Sequence, residues 1–203
     1  MKIGEDDRTT GQQMQNGKMQ PVFLINALNK VEQLSSFKPA IIPGMIRKIK
    51  SLLLYLLYDN NLSKVRLEKE LNLLEEYVEL EKEGNENSLN VKMRVVGNPS
   101  GERIAPFIII PIVENSFRQL SSIELEDKCI DIEIHIIEGS LNMRVAWSKP
   151  VDSSTLANGG NAFLNNIGKR LDLLYPQSNE LKVIIKTGQF IIDCKIDLHG
   201  AIN

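Results

Sequence analysis

The stretch "MQPVFLINALNKVEQL" (residues 19–34) sets the reading of the chain. Phe23, Leu24, Ala27, Leu28, Val31 and Leu34 recur at three- and four-residue spacings, the apolar stripe of an amphipathic helix. "SSFKPAIIPG" (35–44) then breaks the period, with Pro39 and Pro43 marking a turn and a restart. In the next helix Met45, Ile49, Leu52 and Leu56 follow at spacings of 4, 3 and 4, flanked by Ile46 and Leu53. Both stripes are wider than one partner helix requires, which predicts a hairpin that dimerises into a four-helix bundle. "DNNLS" (59–63) interrupts, and a third helix carries Leu67, Leu71, Leu74 and Val78 in register. Its remaining charges read as a solvated face.

After "EGNENS" (83–88) the apolar period changes to two. Strands are predicted at 89–96, 129–137, 140–147, 180–187 and 189–198, the last two joined across Thr187-Gly188. Helices are predicted at 106–120, with Pro111 tolerable only in the first turn, and at 161–175, stopped by Pro176. The second half therefore reads as a mostly antiparallel sheet with helices on one face, an α/β sandwich. Residues 1–17 show no apolar period and are expected to form a loose arm or the stub of a longer protein; "DSSTLANGG" (152–160) reads as a flexible loop.

Composition narrows the function classes. Of 203 residues, 42% are hydrophobic and 25% charged, as in a soluble globular protein. A formal charge of −2 argues against nucleic-acid binding, which needs a concentrated basic surface. The strongest apolar run, "SLLLYLLY" (51–58), is far short of the roughly 20 residues that span a bilayer, and the first 20 residues resemble no signal peptide. Cys129 and Cys194 are isolated, which argues against structural zinc and fits a reduced cytosolic setting; Cys194 falls on the apolar register of its strand. His135 and His199 fall on the polar register, so both are expected at the surface.

Four segments carry a family resemblance. "PVFLINALN" (21–29) resembles P-H-F-L-x-N-x-L-N, and "LLLYLLYDNNLSKVRLEKELNLLEEYVELEK" (52–82) resembles L-L-R-Y…V-x-L-x-x-E-L…Y-x-x-L-E. "IAPFIIIPIVENSFRQL" (104–120) resembles I-P-P-x-x-L-Q-P-L-V-E-N-A-x-K-H, and "GKRLDLLYP" (168–176) resembles R-K-R-L-E-L-L-Y-P. All are signatures of the LytS-type sensor histidine kinases. The resemblance covers residue 18 to about residue 198 and implies an α+β chain. Its expected parts are a helical hairpin and linker helix at 18–84, for dimerisation and phosphoacceptance, and a GHKL (Bergerat) ATPase-like sandwich at 85–203. It further implies ATP and Mg²⁺ as cofactors, a homodimer, and a response regulator or an active histidine kinase as partner. The implied location is the cytoplasm, either free or as the cytoplasmic portion of a membrane sensor.

The chemistry-bearing positions depart from that pattern. Val22 stands where the family has its phosphoacceptor histidine, and no histidine occurs in residues 1–134. An isopropyl group has no lone pair with which to attack a γ-phosphate. The nucleotide box keeps Glu114 and Asn115, whose amide oxygen in the family helps hold Mg²⁺, a cation suited to oxygen ligands. Arg118 stands where a basic residue can contact phosphate, while Gln119 and Ile110 replace a histidine and a glutamine. The same three residues read equally well as an exposed helix face with a Glu114–Arg118 i,i+4 ion pair.

The adenine-reading position is Trp147 within "VAWS" (145–148), in register with Leu141, Met143 and Val145. Indole donates but cannot accept a hydrogen bond from an adenine amino group, so its bulk is expected to fill the pocket; stacking on adenine is the alternative. The lid, G-x-G-L-x-N in the family, aligns with "NAFLNN" (161–166). Leu164 and Asn166 remain, both glycines are gone, and Phe163 is expected to crowd the phosphate channel. Gly84-Asn85 replaces the arginine-phenylalanine pair after the linker helix. The expectation is a pseudokinase acting through protein contacts. The alternative is a kinase that retains ATP/Mg²⁺ binding through Glu114, Asn115, Arg118 and Asn166 and acts in trans on a partner.

Overall fold

The computed structural model describes residues 22–59, 61–84, 89–150 and 160–200; the expected arm and nearly all of the 152–160 loop lie outside these. Helix α1 (Val22–Ser35) and helix α2 (Ile42–Tyr58) form the hairpin, joined through a 3₁₀ turn at Pro39–Ile41. Helix α3 (Leu67–Glu83) follows and packs on α2. Strands β1 (Val65–Arg66) and β3 (Arg103–Ile104), which sequence patterning did not anticipate, pair across the entry to α3.

The main sheet contains β2 (Leu89–Val96), β4 (Lys128–Ile137), β5 (Ser140–Ser148), β6 (Asn179–Lys186) and β7 (Gln189–Asp197) in the order β2-β4-β5-β7-β6. All pairings are antiparallel except β2 with β4. Period-two alternation aims Ile132, Ile134, Met143, Val145, Ile192 and Cys194 at one face, where they are buried. Helices α4 (Ile109–Ser121) and α5 (Gly160–Leu174) cover that face. Burial pushes the Cys194 thiol up to about 12, as befits a packing thiol; Cys129 is exposed. His199 is exposed as expected, and its Nε2 lies 3.1 Å from Glu102.

The start of α4 differs from the predicted helix at 106–120. Phe107 adopts the left-handed backbone (φ +58°), so regular helix begins only at Ile109, with Pro111 in the first turn. The first amides of any helix lack an internal acceptor. Here one carboxylate supplies it: Glu70 on α3 accepts from the amides of Phe107 (3.1 Å), Ile108 (3.0 Å) and Ile109 (3.3 Å). The Tyr55 hydroxyl, from α2, donates to the same carboxylate. On the other side Arg170 donates to the carbonyls of Phe107 and Pro106 at 2.9 Å each, and the Ala105 amide donates to the Tyr175 hydroxyl at 2.6 Å.

Glu70 therefore corrects the reading of α3 as apolar on one side and solvated elsewhere. It is fully buried, as is most of Glu81. The reason is spacing: Glu70, Leu74, Tyr77 and Glu81 recur at 4, 3 and 4, so both acids lie on the buried stripe. Burial pushes the Glu70 carboxyl above its ordinary value, against the lowering pull of the Tyr55 hydroxyl and the three amides. Ion pairs from the hairpin engage the rest of α3: Lys30 with Glu81, and Lys48 with Glu79 (3.0 Å) and Glu83 (2.6 Å).

The hairpin stripes divide between two faces, as their width requires. Phe23, Ala27, Met45, Ile49 and Leu52 are buried, while Ile25, Leu28, Ile46, Leu53 and Leu57 stay exposed.

Removing Glu70 orphans three helix-start amides and the Tyr55 hydroxyl. Glu70→Ala is expected to destabilise the fold by about 3 kcal/mol, and Tyr55→Phe by about 1 kcal/mol. Urea unfolding followed by circular dichroism checks this; a Glu70→Ala change indistinguishable from wild type would contradict the capping role.

Candidate functional site

Helix α4 carries the residues the sequence singles out, and it is buried around nearly its whole circumference. Its neighbours are α3, α5 and the sheet. An exposed polar face with a Glu114–Arg118 ion pair is therefore not what forms. Glu114 is only 7% exposed and Asn115 is fully buried. Among the described residues Arg118 makes its hydrogen bond to Asn115, from Nη2 to Oδ1 at 2.9 Å.

Arg118 also lies over the Phe163 ring, 4.7 Å from its centroid. Asn115, Arg118 and Phe163 thus close on one another at the junction of α4 and α5. The Asn115 amide nitrogen and the Arg118 Nε are buried without a hydrogen-bond partner among the described residues. In this arrangement the oxygen that would face Mg²⁺ accepts one hydrogen bond from a guanidinium, whose positive charge beside it opposes a cation as it stands. The side chain of Asn166, half-buried three residues after Phe163 on α5, makes no hydrogen bond among the described residues.

Trp147 takes the position its register predicts, buried on the helix-covered face. Its ring packs on Phe190 at 5.6 Å between centroids, and its Nε1 has no partner among the described residues. Val22 opens α1. The next residue, Phe23, packs edge-on against Tyr77 (5.5 Å) and tilted against Phe107 (5.7 Å). The start of the hairpin is thereby held against α3 and against the segment that leads into α4.

Between α1 and α4 lies a cavity of ≈ 370 Å³. Asn26, Asn29 and Lys30 line it from α1, Glu81 from α3, and Glu114 and Arg118 from α4. Burial pushes the Glu114 carboxyl up to about 7; Arg118 pulls it down, and the neighbouring Glu81 carboxylate pushes it further up. Glu114 and Asn115, adjacent in sequence, are differently engaged. Glu114 lines the cavity, and Asn115 is buried and accepts from Arg118, which lies over Phe163 of α5.

Sequence reasoning missed the residues that position α4. Glu70 could have been found as an acid on an apolar stripe, and Arg170 and Tyr175 as the polar members of "RLDLLYP". The contribution of Asn26 and Asn29 to a seam cavity had no signal beyond their place in the first motif.

Comparisons with known proteins agree with this architecture. Residues 11–89 match the family model described as histidine kinase. The sensor protein LytS of Staphylococcus epidermidis is 25% identical over 198 residues, covering 88% of this chain and 32% of that protein. The sensor protein kinase HptS of Staphylococcus aureus is 19% identical over 187 residues, covering 87% of this chain and 36% of that one. The chain thus spans about a third of the length of these relatives. Among solved structures, the histidine kinase domain from the Erythrobacter litoralis EL346 blue-light activated histidine kinase superposes with a TM-score of 0.51 at 11% identity, covering 88% of this chain and 95% of that one, a likeness of fold. No helix among the described residues is long and apolar enough to cross a membrane. Motifs, family match and fold together make the chain similar to the LytS-type sensor histidine kinases, with a helical hairpin leading into a histidine-kinase-type α/β sandwich.

Proposed function

We propose that the chain is a pseudokinase of two-component signalling, working through protein contacts rather than phosphotransfer. The observation that carries the proposal is Val22 in the phosphoacceptor position, with no histidine in residues 1–134 to replace it. Sensor histidine kinases generally bind ATP and Mg²⁺, dimerise and address a response regulator. Here three features weigh against a working nucleotide site. The Asn115 oxygen is engaged by Arg118, Phe163 occupies the place of a lid glycine and stacks on that arginine, and Trp147 fills the adenine-reading position. Drift at one position leaves a kinase impaired; change at both ends of the transfer leaves no reaction to conserve.

The proposed organisation is a hairpin and linker helix at 18–84 for dimerisation and an ATPase-like domain at 85–203. The outward apolar face of the hairpin supports the dimer. Ile25 and Leu28 on α1 and Ile46, Leu53 and Leu57 on α2 are exposed, a face that a second hairpin covers in a four-helix bundle. The proposed partner of this dimer is a response regulator or an active histidine kinase.

Incubation with radiolabelled ATP and Mg²⁺ tests the chemistry. Neither the wild-type chain nor Val22→His is expected to incorporate acid-labile phosphate; labelled Val22→His would show that the nucleotide site works and would sink the pseudokinase reading. Light scattering tests the assembly. A dimer is expected, and Ile46→Lys with Leu53→Lys is expected to give a folded monomer; a monomeric wild type would remove the bundle.

A further inference from the structure

Phe107 is a strained point at the seam of hairpin and sandwich. Its backbone lies in the left-handed region (φ +58°), which crowds a bulky side chain, so such a turn persists only where its surroundings over-determine it. Glu138 and Gln177 share that backbone but sit in exposed turns, whereas Phe107 is buried. Three groups hold Phe107 in place. Glu70, on α3, accepts from its amide and from those of Ile108 and Ile109. Arg170, on α5, donates to its carbonyl and to that of Pro106. Phe23, at the start of α1, packs on its ring.

The ring contact belongs to a row. Phe23 stands between Phe107 (5.7 Å) and Tyr77 (5.5 Å), and Tyr77 meets Phe117 at 5.7 Å. Buried rings thus run from the segment before α4, through α1 and α3, to α4 itself. Withdrawal of Phe23 leaves a gap beside Phe107 and removes the packing that keeps its ring inward. The backbone then relaxes out of the left-handed region, which turns the carbonyls of Pro106 and Phe107 away from Arg170. A half-buried guanidinium that loses two acceptors moves toward water. Arg170 lies in the second half of α5, so the helix moves with it. That helix is seated by the buried Leu164, Ile167 and Leu171, and it lays Phe163 over Arg118, the donor to Asn115.

We propose that Phe107 is a latch between the first turn of α1 and helix α5. With Phe23 against its ring, residues 105–109 keep the turn that Glu70 caps and Arg170 grips. Displacement of the N-terminal end of α1 releases that turn and loosens α5. The left-handed turn is the two-state element, and α1 and α5 both bias it. The latch needs no nucleotide and gives the hairpin a route to the far side of the sandwich.

Hydrogen–deuterium exchange of the full chain, read by mass spectrometry without nucleotide, tests the latch segment by segment. Phe23→Ala is expected to raise exchange about tenfold or more in residues 105–109 and 163–174, leaving β5 and β7 as in wild type. Ile49→Ala, a deletion in the middle of α2, is expected to loosen the hairpin but keep 163–174 within about twofold of wild type. Phe107→Gly adopts the left-handed backbone freely and has no ring, so in that background Phe23→Ala is expected to add nothing in 163–174. Should Phe23→Ala fail to fold, Phe23→Leu carries the test, with a smaller rise in the same two segments. Wild-type exchange of 163–174 in the folded Phe23 variant, an equal rise with Ile49→Ala, or an undiminished Phe23 effect beside Phe107→Gly would overturn the latch. None of these outcomes bears on the pseudokinase reading, which rests on phosphate incorporation.

Discussion

One buried carboxylate ties the molecule together. Glu70 sits on α3, takes the Tyr55 hydroxyl from α2, and caps the first amides of α4. A single ionisable group thus links hairpin, linker helix and the helix that carries the nucleotide-box residues. Its full burial is costly, and that cost is offset only because every lone pair meets a donor. The left-handed Phe107 belongs to the same constraint: its turn aims three consecutive amides at Glu70 while its carbonyl turns to Arg170. Displacement of α3 relative to α2 must therefore move the start of α4 or break these bonds.

Such a network explains which motif residues persist. Glu70, Arg170 and Tyr175 come from two motifs far apart in sequence, and all converge on residues 105–109. None of them needs a nucleotide to be useful. Among the positions that depart from the family pattern, Val22, Trp147 and Phe163 stand, on the proposed reading, where family counterparts touch phosphate or adenine. Their replacements are apolar, and Trp147 and Phe163 are spent on packing: one on Phe190, the other beneath Arg118.

Much of the fold was legible in the sequence because it rests on periodicity. The 3.6-residue stripes of α1 to α3 fall on observed helices, and the five strands read from alternation lie within one residue of the observed ones. Reading failed where a local rule was overridden by distant partners. Glu70 and Glu81 looked solvated because acids usually are, although their spacing with Leu74 and Tyr77 placed them inward. The helix at 106–120 lost its first turn to Phe107, whose conformation depends on partners 37 and 63 residues away in sequence. The site was legible only as identities. That Glu114 shares a cavity with residues of α1 while Asn115 is bonded by Arg118 depends on tertiary packing, which no local pattern encodes.

The most direct measurement is calorimetric titration of the chain with a non-hydrolysable ATP analogue and Mg²⁺. The proposed loss of nucleotide chemistry predicts no saturable heat up to millimolar ligand, with Arg118, Phe163 and Trp147 proposed to hold the place of phosphate and base. Micromolar binding that Asn115→Ala abolishes would contradict it and return the protein to the nucleotide-dependent kinases.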